Sequence, residues 1–232
     1  SYELIKLALN NQKHVVTGNK ALIANHGKSL FEIAEKNSLA LSFEAAVAGG
    51  IPIIKTIKND ISLNKINKIS GILNGTTNYI LTKMEDDNLS FDDVLNIAKD
   101  KGFTSDSEAQ LDIGGFDAAH KLTILATLSF GSNLNFKQNY IEGISDVKIE
   151  DINFAKKLGY KIKLISETSI IKNEILNFTS PKLISFDNPL SNVGDALNAI
   201  NIATDHLDNL FLEGQGAGGK ATASSVLSDI FE

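Results

Sequence analysis

Residues 116–130, FDAAHKLTILATLSF, decide how this chain is read. The stretch has helical length, contains neither Gly nor Pro, and carries a nearly continuous apolar side, so it predicts a buried or half-buried helix. Asp117 and Lys121 stand near its start, four apart and therefore on one helix face. A pair at this spacing is commonly a surface ion pair worth roughly a few tenths of a kcal/mol. Here Ala118, Ala119, Leu122, Ile124 and Leu125 surround it. Partial desolvation in such surroundings lowers a lysine pKa, and a neighbouring carboxylate tempers the drop while fixing direction, which points to an uncharged amine in a cleft.

Before this helix the pattern alternates helix and strand. YELIKLALNN (1–11 region) reads as a helix, His14–Thr17 as a short strand, Lys28–Lys36 as an amphipathic helix and Leu39–Phe43 as a strand, an α/β layer. Pro52 suits a helix start, with Ile53–Ile57 following; Lys65–Leu73 reads as a strand; Ser90 with Asp93 opens a helix to Lys99 that Gly102 ends. Beyond Asn135 come strands at Tyr140–Ile144, Tyr160–Thr168, Ile170–Phe178, Ala196–Ala203 and Leu210–Glu213, with one helix at Ile149–Leu158. The fold class that results is α/β joined to α+β, a mixed sheet with helices on one face.

Composition narrows the function. The chain has no cysteine, so thiolate metal sites, disulfides and cysteine nucleophiles drop out. All 22 basic residues are lysine, and the net charge is −6. Without guanidinium forks and with an acidic balance, nucleic acid is an unsuitable partner. No apolar run approaches the roughly 20 residues of a membrane span and no secretion signal opens the chain, so a cytoplasmic location is expected. The four histidines lack ligand spacing and no GxSxG elbow is present, which removes zinc and serine hydrolysis.

Other constellations remain. Asp106, Glu108, Asp112 and Asp117 form an acidic cluster ahead of Lys121. Lys20, just past a strand, is either a ligand contact or a solvated loop lysine. Glu44 followed by Gly49–Gly50 offers a carboxylate and a kinked backbone to a hard cation, or simply a tight helix entry. Gly214, Gly216 and Gly219 have GxGxxG spacing, but thirteen residues after Gly219 are too few for a mononucleotide-binding unit. The loop either approaches a flat or anionic group or is a plain helix-entry turn.

Read together and in order, HVVTGNKAL, FEAAVAGGIPIIK, GILNGTTNYIL, LDIGGFDAAHKL and GQGAGG resemble the homoserine dehydrogenase family. That resemblance implies interconversion of L-homoserine and L-aspartate 4-semialdehyde with NADP or NAD, on the route to threonine, methionine and isoleucine, by a homodimer. It implies that residues 1–42 are the rear part of a Rossmann-type nucleotide-binding domain, 43–212 a catalytic and dimerisation domain, and 213–232 a segment returning to the first. Roughly the first hundred residues of the family pattern, with its pyrophosphate loop, precede the point where this chain begins, so the chain as given is expected to bind cofactor weakly and lack activity. A non-catalytic dimerisation or amino-acid-binding module, or the dehydrogenase part of a kinase fusion, are the alternatives.

By the same resemblance Lys121 is the proton donor and acceptor, Lys20 lies near nicotinamide and substrate, and Asp117 binds substrate. Thr76 approaches homoserine, and Gly216 touches the cofactor. Glu44 with the carbonyls of Val47, Gly49 and Ile51 falls on a monovalent cation site, usually sodium. The stretch GFTSDSEAQLD departs from the family pattern by lacking a proline and carrying one additional residue. Counting back from Asp117 puts Asp106 in place of a substrate-binding glutamate, with Glu108 as its substitute if the loop is re-registered.

Overall fold

The computed structural model describes residues 1–131 and 136–232. It opens with α1 (Tyr2–Asn10), β1 (Val15–Val16), α2 (Lys20–Lys36) and β2 (Leu41–Ser42), and β1 pairs with β2 in parallel. A parallel pair needs a crossover, which α2 supplies. That helix starts at Lys20 instead of the expected Lys28, because the Asn19 side chain accepts the Leu22 amide and caps it early. Leu22, Ile23, Leu30 and Ala34 form its buried stripe. Lys20 is therefore held by a helix and not by a loop.

Next come α3 (Ile53–Lys55), loosened into a wider turn over Thr56–Asp60, then β3 (Ile66–Ile72), α4 (Gly75–Asp87), α5 (Phe91–Asp100), α6 (Asp106–Ile113) and α7 (Phe116–Phe130). The Ser90 hydroxyl accepts the Asp93 amide at 3.3 Å, and Gly102 takes a φ of +75° after α5, as the capping pattern predicts. The sequence pattern leaves α4 and α6 unmarked for opposite reasons. The first turns of α4 are buried all round, from Thr76 to Leu81, so no apolar stripe appears; α6 has eight residues and buries only Ala109 and Ile113.

The chain continues through β4 (Tyr140–Ile141), α8 (Ile149–Lys157), β5 (Tyr160–Ile171), β6 (Glu174–Ser185), β7 (Leu197–Thr204), β8 (Asn209–Gln215) and α9 (Gly219–Phe231). One six-stranded sheet results, in the order β4-β6-β5-β3-β7-β8, antiparallel except where β4 joins β6. The β5–β6 turn falls at Lys172–Asn173, both with left-handed φ (+51° and +67°), so β5 runs straight through the expected turn at Ser169. Pro181 is tolerated inside β6 because β4 covers only Phe178 and Thr179, leaving an open edge beyond. Strand β4 stops at Ile141 rather than at Ile144 because Gly143 lies against the Ile113 carbonyl, which accepts the Ile144 amide at 2.8 Å.

Helices α4, α7 and α8 share one core with the sheet through Ile80, Met84, Leu122, Leu125 and Ile152 against Ile69, Leu164 and Ile200. The next residues along the strands, Ile165 and Ala199, point to the opposite face and meet Leu190 and Val193 in a smaller cluster. Among the described residues no helix is long and apolar enough to cross a membrane. Helix α9 returns to the segment after β2, where Ser225 Oγ donates to the Gly49 carbonyl at 2.6 Å and the Asp229 carboxylate accepts the Glu44 amide at 2.9 Å.

Candidate active site

The N-terminal end of α7 is the centre of the site. Gly115, at φ +80°, turns the chain from α6 into α7, a conformation that favours glycine, and so points the first turns of α7 at α2 and α4. Asp117 receives both neighbouring lysines: Lys121 Nζ lies 2.7 Å from its Oδ2 and Lys20 Nζ 2.9 Å from its Oδ1. Lys121 Nζ also donates to the Leu73 carbonyl at 2.7 Å, at the end of β3. Asn74 donates to Asp117 at 3.0 Å and to Asp112 at 2.7 Å, and Thr104 donates to the other Asp112 oxygen at 2.8 Å.

The electrostatics follow from these partners. Burial alone would raise the Asp117 carboxyl, but the ammoniums of Lys121 and Lys20, with the hydrogen bonds from Lys121 and Asn74, outweigh it and hold the group well below the usual carboxylate range. Lys121 is buried among the apolar side chains of α7, as the sequence pattern predicts, with the Asp117 carboxylate one turn away as its partner. Asp112 is the opposite case. Burial pushes its carboxyl up, its direct partners Thr104 and Asn74 are neutral, and the Asp117 charge adds to the rise. A half-buried carboxylate with neutral donors is prepared to receive a cation.

These groups line a cleft of about 1440 Å³. Lys20, Thr76, Gly49, Asp117, Lys121 and Gly216 all border it, so residues that are far apart in sequence meet there. The Thr76 hydroxyl is engaged, donating to the Phe103 carbonyl at 3.0 Å. His120 also borders the cleft and stacks on Phe136 at 4.0 Å between ring centroids; burial pushes its pKa down.

Asp106 does not join them. Its side chain is 92% exposed and pairs with Lys99 at 2.7 Å, because it opens α6 on the outer side. Glu108, two residues on, borders the cleft instead. Asp112 is the residue that sequence reasoning placed in the acidic cluster without giving it a role. Its signal was the spacing of five to Asp117 across Gly114–Gly115, a turn that folds α6 back beside α7.

Gly18, Ala45, Ala48, Gly49, Gly216 and Gly218 make a wall of mostly small residues on the cleft that also holds Lys20, with Asn19, Gln215 and Thr222 among them. Gly49 and Gly216 are in close backbone contact: a Cβ on Gly49 would come within 2.6 Å of the Gly216 carbonyl, and a Cβ on Gly216 would strike the Asn198 side chain. Both glycine motifs are thus required by one approach of two chain segments. The cation expectation fares differently. The Glu44 carboxylate accepts the amides of Ile54 and Lys55, both at 2.8 Å, the Gly49 carbonyl accepts from Ser225 and the Ile51 carbonyl accepts from Ile53. These oxygens serve the start of α3 and the docking of α9, each with one N–H or O–H donor. Burial pushes the Glu44 carboxyl up despite those amides. Among the described residues there is no group of three or more His, Asp or Glu able to hold a metal.

Fold and cleft together define an α/β protein whose site couples two lysines and a shared carboxylate to a small-residue wall. The homoserine dehydrogenase family model matches residues 52–231, and the chain belongs to that family. It is 43% identical over its whole length to the homoserine dehydrogenase of Pseudomonas aeruginosa, of which it covers 53%, and 41% identical over 96% of its length to that of Bacillus subtilis, of which it covers 51%. The crystal structure of a homoserine dehydrogenase from Thiobacillus denitrificans superposes with a TM-score of 0.96 at 42% identity, over 98% of this chain and 53% of that one. A hyperthermophilic archaeal homoserine dehydrogenase in complex with NADPH superposes at 0.87 with 32% identity, over 99% of this chain and 66% of that one. The chain spans about half the length of the curated relatives it matches.

Proposed function

We propose that this chain supplies the substrate-binding and proton-transfer part of an NADP- or NAD-dependent homoserine dehydrogenase, an oxidoreductase of the route to threonine, methionine and isoleucine. The observation that carries the reading is the Lys20–Asp117–Lys121 group facing a glycine and alanine wall across one cleft. The nicotinamide, when bound, supplies or takes the hydride at the carbon that is aldehyde on one side of the reaction and alcohol on the other. In the reductive direction the Lys121 ammonium gives its proton to the developing alkoxide, and the Leu73 carbonyl and Asp117 hold the amine in line. In the oxidative direction the neutral amine takes the hydroxyl proton. Lys20 adds positive charge on the same side, favouring the oxyanion.

Asp112 is the carboxylate best prepared for the substrate ammonium, since Asp117 is already neutralised by two lysines. Glu108 stands in the place expected of Asp106 as the second acidic contact. With no arginine in the chain, the substrate carboxylate falls to the backbone amides of Gly75 and Thr76, at the N-terminal end of α4. Glu44 and the carbonyls of Val47, Gly49 and Ile51 would hold the monovalent cation, and no step passes through it. The homodimer belongs to the same reading, supported by the exposed Ile170, Ile171 and Leu183 along the β5–β6 hairpin, and sedimentation equilibrium returning a monomer mass would remove it.

The direct assay follows nicotinamide absorbance with L-homoserine, L-serine and L-threonine, using the protein that carries this chain. Reduction of NADP or NAD that depends on L-homoserine, with the shorter and branched hydroxy amino acids far slower, is the expected result; no dependence on L-homoserine overturns the reading. Asp112→Asn should raise KM for L-homoserine by about 10- to 100-fold, the loss of one charge-assisted hydrogen bond, while KM for the nucleotide stays put. Equal increases in both constants would take Asp112 away from the substrate ammonium.

A further inference from the structure

Lys163, on β5, is 2% exposed and takes part in none of the chemistry above. Its Nζ has three partners, all neutral: the Asn78 Oδ1 at 2.9 Å, the Thr82 Oγ1 at 3.3 Å and the Val193 carbonyl at 2.7 Å. They come from two separate pieces of chain, α4 and the segment leading into β7. Asn78 ties those pieces together a second time, its amide lying 3.2–3.3 Å from the carbonyls of Val193, Gly194 and Leu197.

The consequence reaches the cleft. Asp195, Ala196 and Leu197, the residues this network holds, line it beside Gly75 and Thr76. The Ala196 carbonyl lies where a Cβ on Gly75 would come within 2.5 Å, so segment 193–197 and the first turn of α4 can move only together. The same turn begins at Asn74, whose side chain donates to Asp112 and Asp117. A core built for stability alone would place an apolar side chain at residue 163; a buried amine with three fixed acceptors specifies a position instead.

We propose that Lys163 is a positioning residue for the substrate: through Asn78, Thr82 and Val193 it fixes the N-terminal end of α4 and segment 193–197 as one wall of the cleft, and so sets substrate affinity without touching the reacting atoms. The inference rests on the functional reading given above. Burial lowers the Lys163 pKa to about 8, with Lys161 on the same strand lowering it and Glu85 and Asp86 on α4 and Asp195 beside the cleft opposing the drop. Loss of a proton leaves two N–H donors for three acceptors, so the wall should loosen above that pH.

The test uses Lys163→Met and Thr82→Val in the protein that carries this chain. For Lys163→Met, KM for L-homoserine is expected to rise about tenfold, with kcat and nucleotide KM within about threefold, a split that a general loss of folded protein does not produce. Wild type should show a rise in substrate KM beginning near pH 8. That step should be missing in Lys163→Met, leaving only the titration of the substrate itself, and should move to lower pH in Thr82→Val, where one amine hydrogen loses its acceptor. If Lys163→Met does not fold, the Thr82→Val shift carries the test. Unchanged substrate KM, or one pH profile shared by wild type and the soluble variants, overturns the proposal. Amide hydrogen exchange at residues 194–197 and in the first turn of α4 separates the two readings. Faster exchange in Thr82→Val, in a protein that fails to oxidise homoserine, would preserve the wall and sink the activity; unchanged exchange and KM in an active enzyme would do the reverse.

Discussion

Lys121→Ala is expected to lower kcat by about 10²–10⁴-fold, the usual contribution of a positioned proton donor, with nucleotide KM nearly unchanged. The side chain has one carboxylate and one carbonyl partner and borders the cleft, so its removal takes away the proton that an alkoxide beside the small-residue wall requires. Folding should survive better than turnover. Asp117 keeps Lys20 at 2.9 Å and Asn74 at 3.0 Å, so its charge is not left unpaired in the interior. In the proposed reading the nucleotide lies against the wall around Gly49 and Gly216, which the truncation leaves alone. Steady-state kinetics with a small alkylammonium added to the medium gives the sharper reading: partial recovery of kcat locates the defect in proton transfer. A variant within threefold of wild type in kcat would show that another group moves the proton.

The parts of this site that were legible in the sequence are those set by local spacing. Asp117 and Lys121 share a face because α-helical geometry dictates it, and the apolar neighbours that bury them are in the same stretch. Lys20 was legible as a candidate, yet its geometry depended on a cap: only with Asn19 closing α2 does the lysine open a helix aimed at Asp117. The crowding at Asp117 could not be read from its neighbours in sequence, because hydropathy reports burial and says nothing of how two lysines and an amide converge on one carboxylate. Asp106 failed for a related reason. Counting residues assumes a fixed loop path, whereas α6 rotates that carboxylate outward and brings Asp112 in through the turn at Gly114–Gly115. In the sheet, alternation located β3, β7 and β8 within a residue or two, but the hairpin turn moved from Ser169 to Lys172–Asn173, since β-rich sequence on both sides of Ser169 gives no local stop.

Asp117→Asn should cost about 3 kcal/mol of folding stability and nearly all activity. The substitution keeps the shape of the side chain but not its capacity. Three donors converge on the carboxylate, Lys20 on one oxygen and Lys121 with Asn74 on the other, and an amide offers a single oxygen while turning an N–H₂ toward one of the lysines. Lys20, about two-fifths exposed, can turn to water; Lys121 keeps only the Leu73 carbonyl. Activity falls because the proton donor loses both its orientation and its counter-charge, and the loss should exceed that of Lys20→Ala. The dependence on pH fixes the cause. The folded-state pKa of Asp117 lies below its unfolded value near 3.9, so the unfolded chain takes up a proton first as pH falls. The stability contributed by this carboxylate is therefore complete above roughly pH 5 and declines only as pH drops through about 4 and further toward the folded pKa. Denaturant unfolding of wild type and Asp117→Asn should give a constant difference between about pH 5 and 8, closing below about pH 4. A gap that instead opened or closed near neutrality would mean that some other ionisation, and not this carboxylate between two lysines, holds the cleft together.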